Sequence, residues 1–369
     1  MEQLETGDRV ECTYGGTRLN GTYITNRDGK AVIKLDSGYN IGIGRTNCRF
    51  LERPGLVKRS ELSTVQDDSL PSLSIISTGG TIASRIDYRT GAVTSQFDAD
   101  DILRAIPGLS GIARYRTTQL YTILSENMTP AIWQELATAV YKEIKNGATG
   151  VIVTHGTDTM SFSSAAVSFM IDTPVPIIFV GSQRSADRPS SDNTMNALCS
   201  ATAAVSPLGE VAVVMHATTS DDRCAIHRAT RVRKMHTSRR DAFQSIGIPP
   251  LGYVDYPSLK VELSPEAAKR GAFEPTIRPN LDESCRLIYF YPGMPPSALP
   301  VPGEVHGLVL AGTGLGHVST EWIPHLKLLA DEGTVTMMTS QCLNGRVCDR
   351  VYDTGRDLLK IGVIEGADT

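Results

Sequence analysis

Three segments carry side chains able to do chemistry. Ser77-Thr78-Gly79-Gly80-Thr81-Ile82-Ala83 comes directly after the apolar run 73–76. A strand running into a Gly-Gly turn brings backbone N–H groups and small hydroxyls close to a ligand; the same residues also read as a tight turn with incidental threonines. The absence of a following Gly-Lys-Ser/Thr argues against a P-loop, and the glycines do not fit GxGxxG. Thr154-His155-Gly156-Thr157-Asp158-Thr159-Met160 likewise follows an apolar run and precedes a helical pattern. This places Thr157 and Asp158 at the carboxyl end of a strand. Asp158 reads either as part of a site or as a cap for the next helix, and His155 as a general base or as a structural histidine. The basic run 228–240 (RATRVRKMHTSRR) contains a single lysine, Lys234. It reads as a solvated face or a nucleic-acid contact. It also offers a base, because neighbouring cations and burial favour a neutral amine.

The elements that must position these residues fall into three patterns. Residues 7–53 hold short alternating segments separated by Tyr14-Gly15-Gly16, Arg27-Asp28-Gly29 and Asp36-Ser37-Gly38. Closely spaced short strands of this kind predict a small antiparallel β-barrel over residues 1–56. About fifty residues is marginal for an independent fold, so the barrel is expected to dock on something. Residues 57–71 read as a polar linker. From Ser72 the pattern predicts an α/β fold with a parallel sheet: strands at 73–76, 150–154, 176–180 and 211–215, and helices at 131–145, 161–170 and 193–205. Ligands of such sheets bind beyond the carboxyl ends of the strands, where both threonine segments fall. A Pro-rich stretch, about 248–302, interrupts the pattern. A second, smaller α/β segment then follows, with a strand at 307–311, the turn Gly312-Thr313-Gly314-Leu315-Gly316, a helix near 320–331 and a strand at 335–339. The GxGxG spacing of that turn is read as structural. The resulting division is 72–265 for the domain with the site, 266–284 for a linker and 285–369 for the C-terminal domain.

The bulk numbers bound the function. With 369 residues, 41% hydrophobic and 21% charged, the chain is long enough for two or three domains of ordinary globular composition. A net charge of −4 gives no whole-chain reason to expect nucleic-acid binding. The seven cysteines show no CxxC spacing, and no metal-ligand cluster stands out. The N-terminus lacks the basic and apolar stretches of a secretory signal, and no apolar run approaches the roughly 20 residues of a membrane span. A cytoplasmic protein with no membrane association is expected.

Taken together, the segments resemble the bacterial-type L-asparaginase/glutaminase family, whose signatures are a TGGTIA turn and an HGTDT turn. Gly181-Ser182-Gln183-Arg184, the stretch 187–192 (DRPSSD) and Ser125-Glu126-Asn127-Met128 extend the resemblance over roughly 72–369. It implies that Thr81 is the nucleophile. It also implies that Thr157, Asp158 and Lys234 form a supporting group, Lys234 taking the proton of Thr157 while Asp158 positions the lysine and the substrate ammonium. Phe243 follows Lys234 at the family's spacing. Ser125 and Glu126 would contact the substrate's α-carboxylate and α-ammonium, Glu126 standing where many asparaginases have glutamine. Backbone N–H groups around Gly80 and Thr157 would serve an oxyanion. Tyr88 would assist the nucleophile from the loop after the first motif. It lies nearer that motif than in secreted asparaginases, and a packing role for it stays open.

The N-terminal barrel is similar to that of one branch of the family, the D subunits of archaeal glutamyl-tRNA(Gln) amidotransferase. This implies a glutaminase that supplies ammonia to an E-type partner acting on Glu-tRNA(Gln). ATP and Mg would be used by that partner, and this chain would need no cofactor. Self-association as a dimer is also implied. The family's C-terminal domain normally continues past a segment like 351–368, so an incomplete domain and impaired activity are expected of this polypeptide. Two other readings stay open: a free-standing asparaginase or glutaminase, and a non-catalytic tRNA-binding scaffold using residues 228–240.

Overall fold

The computed structural model describes residues 4–5, 7–37, 39–53, 66–79, 85–86, 93–94, 103, 105–185, 188 and 190–366. The chain divides into two compact units, Met1–Ser245 with Pro250–Pro279 and Ile246–Pro249 with Asn280–Thr369.

The first unit opens with five strands, β1 (Arg9–Tyr14), β2 (Thr17–Arg27), β3 (Lys30–Leu35), β4 (Asn40–Gly44) and β5 (Cys48–Glu52). They form one antiparallel sheet in the order β4-β3-β2-β1-β5. Two hairpins in it turn on two residues each. Gly15-Gly16 has φ of 55° and 78°, and Asp28-Gly29 has φ of 51° and 73°. Positive φ at both central positions is what the right-handed twist of a tight hairpin requires. Alternation sends Val10, Cys12, Tyr23, Ala31, Ile33, Ile43 and Cys48 to one small core. A register shift at Tyr23/Thr25 bends β2.

The rest of the unit is built on an eight-stranded sheet. Its elements are β6 (Ser72–Ser77), a short ribbon of β7 (Arg85–Ile86) and β8 (Val93–Thr94) outside the sheet, β9 (Arg114–Gln119), α1 (Pro130–Lys145), β10 (Gly150–Thr154) and α2 (Met160–Met170). There follow β11 (Ile171–Asp172), β12 (Ile177–Val180), α3 (Asn193–Val205), β13 (Val211–His216), β14 (Arg223–Arg228), β15 (Val232–Lys234), β16 (Phe243–Ser245), β17 (Gly252–Asp255), β18 (Val261–Leu263) and β19 (Thr276–Ile277). The order is β18-β17-β14-β13-β12-β10-β6-β9. From β9 to β13 the neighbours are parallel; β14, β17 and β18 are added antiparallel.

The strands read from the sequence, β6, β10, β12 and β13, lie in the parallel part, whose edge strand β9 went unread. Every residue of β10, β12 and β13 is buried, as expected for strands covered on both faces. Ile152, Ile178 and Val214 face one core with α3, while Val153, Phe179 and Val213 face another with α1 and α2. In α1, Thr129 caps the first turn by accepting from the Ile132 N–H, and Pro130 occupies the first helical position. Leu136, Val140 and Ile144, four residues apart, bury one face. Each such side chain contributes about 1.5–3 kcal/mol on burial. The Pro-rich stretch expected to interrupt the fold in fact supplies β17, β18 and β19. Short antiparallel edge strands escape a reading tuned to long apolar runs.

The second unit is a four-stranded parallel sheet of β20 (Cys285–Tyr289), β21 (Gly307–Gly312), β22 (Val335–Ser340) and β23 (Ile364–Glu365), with α4 (Ile323–Asp331) and α5 (Asp353–Lys360). Leu308, Leu310, Trp322, Leu326, Met338 and Leu358 make its core. The glycine-rich turn closes on itself, Thr313 N–H donating to the His317 carbonyl at 2.8 Å. Packed against it is the fully buried Asp349, for whose carboxylate oxygens no hydrogen-bond donor is found among the described residues. A Cβ on Gly316 would lie 2.8 Å from Asp349 Oδ1. Burial first, and then Glu365, push this carboxyl up to about 6. Among the described residues no helix is long and apolar enough to cross a membrane.

Candidate active site

The two threonine segments leave the sheet side by side, because β6 and β10 are adjacent and parallel, with Ser77 paired to Thr154. Thr78 fastens the first to the second: its N–H and its hydroxyl both donate to the Thr154 carbonyl, at 3.1 and 2.9 Å. Thr154 Oγ1 donates in turn to Ser77 Oγ at 3.1 Å. Gly79 then turns with φ +111°, where a Cβ would come within 2.6 Å of the Ile123 carbonyl, so only glycine fits. Gly80, Thr81 and Tyr88, read from the sequence as oxyanion donor, nucleophile and assisting tyrosine, lie outside the described residues.

The second segment is described in full. His155 is completely buried, its N–H donating to the Val180 carbonyl at 2.9 Å. Its ring Nδ1 faces the Gly156 carbonyl at 2.7 Å, so that nitrogen carries the proton. Burial pushes the imidazole down to about 4 and keeps it neutral. A neutral ring committed to the next residue's carbonyl shapes the turn rather than reaching a substrate. Thr157 is buried and Asp158 exposed.

Lys234 joins them. It ends β15, a strand paired with β16 in a hairpin that sets Lys234 opposite Phe243. From there Nζ donates to Thr157 Oγ1 at 2.8 Å and to Asp158 Oδ1 at 2.7 Å. The lysine side chain is 13% exposed and the aspartate 70%. Lys234 therefore stands between a buried hydroxyl and a carboxylate open to solvent. Of the basic run, this residue alone is turned to the threonine; Arg228 pairs with Glu210, Arg239 with Asp241 and Arg240 with Asp221.

Ser125 opens a 3₁₀ turn, Ser125–Asn127, packed on the same segment. Thr159 Oγ1 donates to its carbonyl at 2.7 Å, and a Cβ on Gly156 would lie 2.8 Å from Ser125 Oγ. Ser125 is buried there, and Glu126 beside it is exposed. The described site thus gathers Thr157, Asp158, Lys234 and Ser125 around one strand end.

The segments 181–184 and 187–192 enter the sequence reading only as part of the resemblance, with no role given to Asp192. Asp192 precedes α3 and reads as its cap, yet it makes no capping bond. Its carboxylate instead accepts from Ser182 Oγ at 2.8 Å, Gln183 N at 3.0 Å and Arg184 N at 2.9 Å, holding the turn beyond β12. Gly181 opens that turn against the site: a Cβ there would lie 2.9 Å from Thr157 Cγ2 and 2.7 Å from the His155 carbonyl. The segment 181–184 was the available signal, since small and polar residues directly after a buried strand mark a close approach.

Comparison with known proteins agrees with this architecture. Residues 72–267 match the asparaginase N-terminal domain, 285–369 the glutaminase/asparaginase C-terminal domain, and 4–50 the GatD N-terminal domain. The D subunit of glutamyl-tRNA(Gln) amidotransferase from Methanosarcina mazei is 54% identical, covering 100% of this chain and 90% of its own. Its counterpart of the same name from Archaeoglobus fulgidus is 52% identical, covering 100% and 88%. Among solved structures, the thermostable L-asparaginase of Thermococcus kodakarensis is similar with a TM-score of 0.70 and 32% identity, over 81% of this chain and 88% of that one.

Proposed function

The chain belongs to the family of glutamyl-tRNA(Gln) amidotransferase D subunits, which carries the asparaginase fold, and on that premise we propose that it releases ammonia from glutamine for a partner protein. The observation that carries the reading is Lys234 Nζ within hydrogen-bond distance of both Thr157 Oγ1 and Asp158 Oδ1. A hydroxyl becomes a nucleophile only if a base takes its proton; as the neutral amine, Lys234 at 2.8 Å is placed to take that of Thr157, which supports the attacking Thr81. In the proposed reaction a threonine oxygen bonds to the amide carbon, the C–N bond breaks, and the nitrogen leaves as ammonia with the proton returned to it. Water then cleaves the resulting ester to glutamate. Thr81 is assigned the attack, with Thr157, Asp158 and Lys234 in support, and Ser125 and Glu126 hold the α-carboxylate and α-ammonium. Gly80 and Thr157 offer N–H groups to the oxyanion, and Tyr88 assists Thr81.

The ammonia passes to an E-type partner, which amidates Glu-tRNA(Gln) with ATP and Mg; this chain needs no cofactor of its own. The site acts in the cytoplasm within a complex in which two copies of this chain pair as a dimer. The test is ammonia release from glutamine and asparagine, with and without the E-type partner and Glu-tRNA. Turnover that rises with partner and charged tRNA supports the reading. Equal turnover of the chain alone supports a free-standing amidohydrolase, which the likeness to the T. kodakarensis L-asparaginase favours as the second reading.

A further inference from the structure

The turn held by Asp192 is connected to the surface by a chain of buried polar groups. Asn196, on the first turn of α3, is fully buried. Both hydrogens of its Nδ2 are spoken for, one by the Gly181 carbonyl at 3.0 Å and one by Asp192 Oδ2 at 2.9 Å. The amide oxygen therefore faces His216, whose Nδ1 lies 2.6 Å away and must carry a proton to donate to it. His216 ends β13, is itself fully buried, and turns Nε2 toward Asp221 Oδ1 at 3.3 Å. Asp221 is 60% exposed and takes a salt bridge from Arg240, whose other guanidinium nitrogen donates to the Thr219 carbonyl.

Arg240 sits in the loop of the β15–β16 hairpin, and that hairpin carries Lys234. Two routes thus leave Asp221 and meet again at Thr157. One runs through Arg240 and the hairpin to Lys234 Nζ. The other runs through His216, Asn196 and Gly181 to the Thr157 methyl. We infer that Asp221 is a remote positioning residue: by holding Arg240 and His216 together, it sets the lysine and the 181–184 turn at their places on either side of Thr157. The inference rests on the proposed amide hydrolysis for its kinetic consequence, and on the hydrogen-bond ring alone for its structural one.

The ring explains why a carboxylate is needed at this exposed position. Both nitrogens of His216 face acceptor oxygens, so the two contacts hold together only with a proton on each. Burial pushes the imidazole down, the Asp221 carboxylate opposes that push, and the same carboxylate accepts from the Arg240 guanidinium. An amide at 221 keeps one acceptor oxygen and loses the charge that holds the guanidinium.

The experiment compares Asp221→Asn, Asp221→Glu and Arg240→Gln in the full chain, read two ways. By TROSY NMR, Asp221→Asn is expected to move the backbone amide resonances of Gln183 and Arg184, more than 35 residues away in sequence. In ammonia release from glutamine, it is expected to lower kcat roughly tenfold with KM within about twofold, the size expected for misplacing groups already assembled. Asp221→Glu is expected to recover most of both effects. The double variant Asp221→Asn/Arg240→Gln is expected to lose no more than the worse single one, because the two residues act on one connection. Unmoved Gln183 and Arg184 amides, or a kcat within twofold of the parent, overturn the inference. A parent protein that releases no ammonia counts against the proposed function instead, and the amide resonances still decide the ring.

Discussion

Gly181 touches Thr157 so closely that a methyl group on the glycine would stand 2.9 Å from Thr157 Cγ2 and 2.7 Å from the His155 backbone oxygen. Neither neighbour can give way without moving the turn between them. Gly181→Ala is accordingly expected to cost roughly 1–3 kcal/mol of stability through overpacking. It is also expected to lower kcat for ammonia release by about tenfold or more through misplacement of Thr157. Chemical denaturation and steady-state kinetics on the same preparation check both numbers; a variant with the parent's kcat would separate Gly181 from the site.

Lys234→Met keeps the length of the side chain and removes the amine. Loss of the Thr157 and Asp158 contacts is expected to reduce kcat by about 10²-fold or more, in line with removal of a general base. Stability is expected to stay near the parent's, because Asp158 is largely exposed and a surface pair is worth about 0–1 kcal/mol. Activity close to that of the parent would remove Lys234 from the mechanism.

Acid should weaken the first unit through its buried imidazoles. His155 and His227 are held down to about 4 by burial, against about 6.5 for an exposed ring. The unfolded chain therefore takes up protons first as pH falls. Their contribution to stability is whole above about pH 6.5 and is lost as pH falls through about 4. Each histidine adds a slope of about 1.4 kcal/mol per pH unit within that window. Urea unfolding between pH 7 and 4.5 is expected to show a shallower slope for His155→Gln than for the parent; equal slopes would refute the assignment.

Asp349 carries the opposite sign. Its folded carboxyl keeps a proton up to about 6, whereas the unfolded value is 3.8. Charging it therefore penalises the second unit increasingly as pH rises from about 4 through 6. Asp349→Asn is expected to raise the melting temperature at pH 8, by an amount corresponding to at most roughly 3 kcal/mol. The difference should vanish near pH 4. A gap independent of pH would assign the effect to packing.

What was legible in the sequence was what lies along single strands. β10 with its HGTDT continuation could be read because a wholly buried strand is a continuous apolar run and the turn after it is polar. Lys234 was legible as the only lysine among arginines, and the structure sets its amine on Thr157 and Asp158. The Asp192–Asn196–His216 chain was not. Its members come from a loop, a helix and a strand end, and each alone has an ordinary reading: a cap, a helix interior residue, a buried histidine. Only the tertiary fold makes them one group. The antiparallel strands β14, β17 and β18 were missed for a similar reason. They are three to six residues long, and their hydrogen-bond partners lie far away in sequence.

The separation of Thr157 from Lys234 has a consequence for the growing polypeptide. The two are 77 residues apart, and the lysine is placed only when its hairpin partner β16 has formed. A nascent chain that has emerged as far as β10 already carries the threonine but not the amine. Chain segments form native contacts as they leave the ribosome, N-terminal first, so assembly of the threonine–lysine pair is tied to a late, long-range closure of the fold. An unfinished chain therefore lacks the lysine that the proposed glutamine hydrolysis requires, and topology alone sets when it arrives.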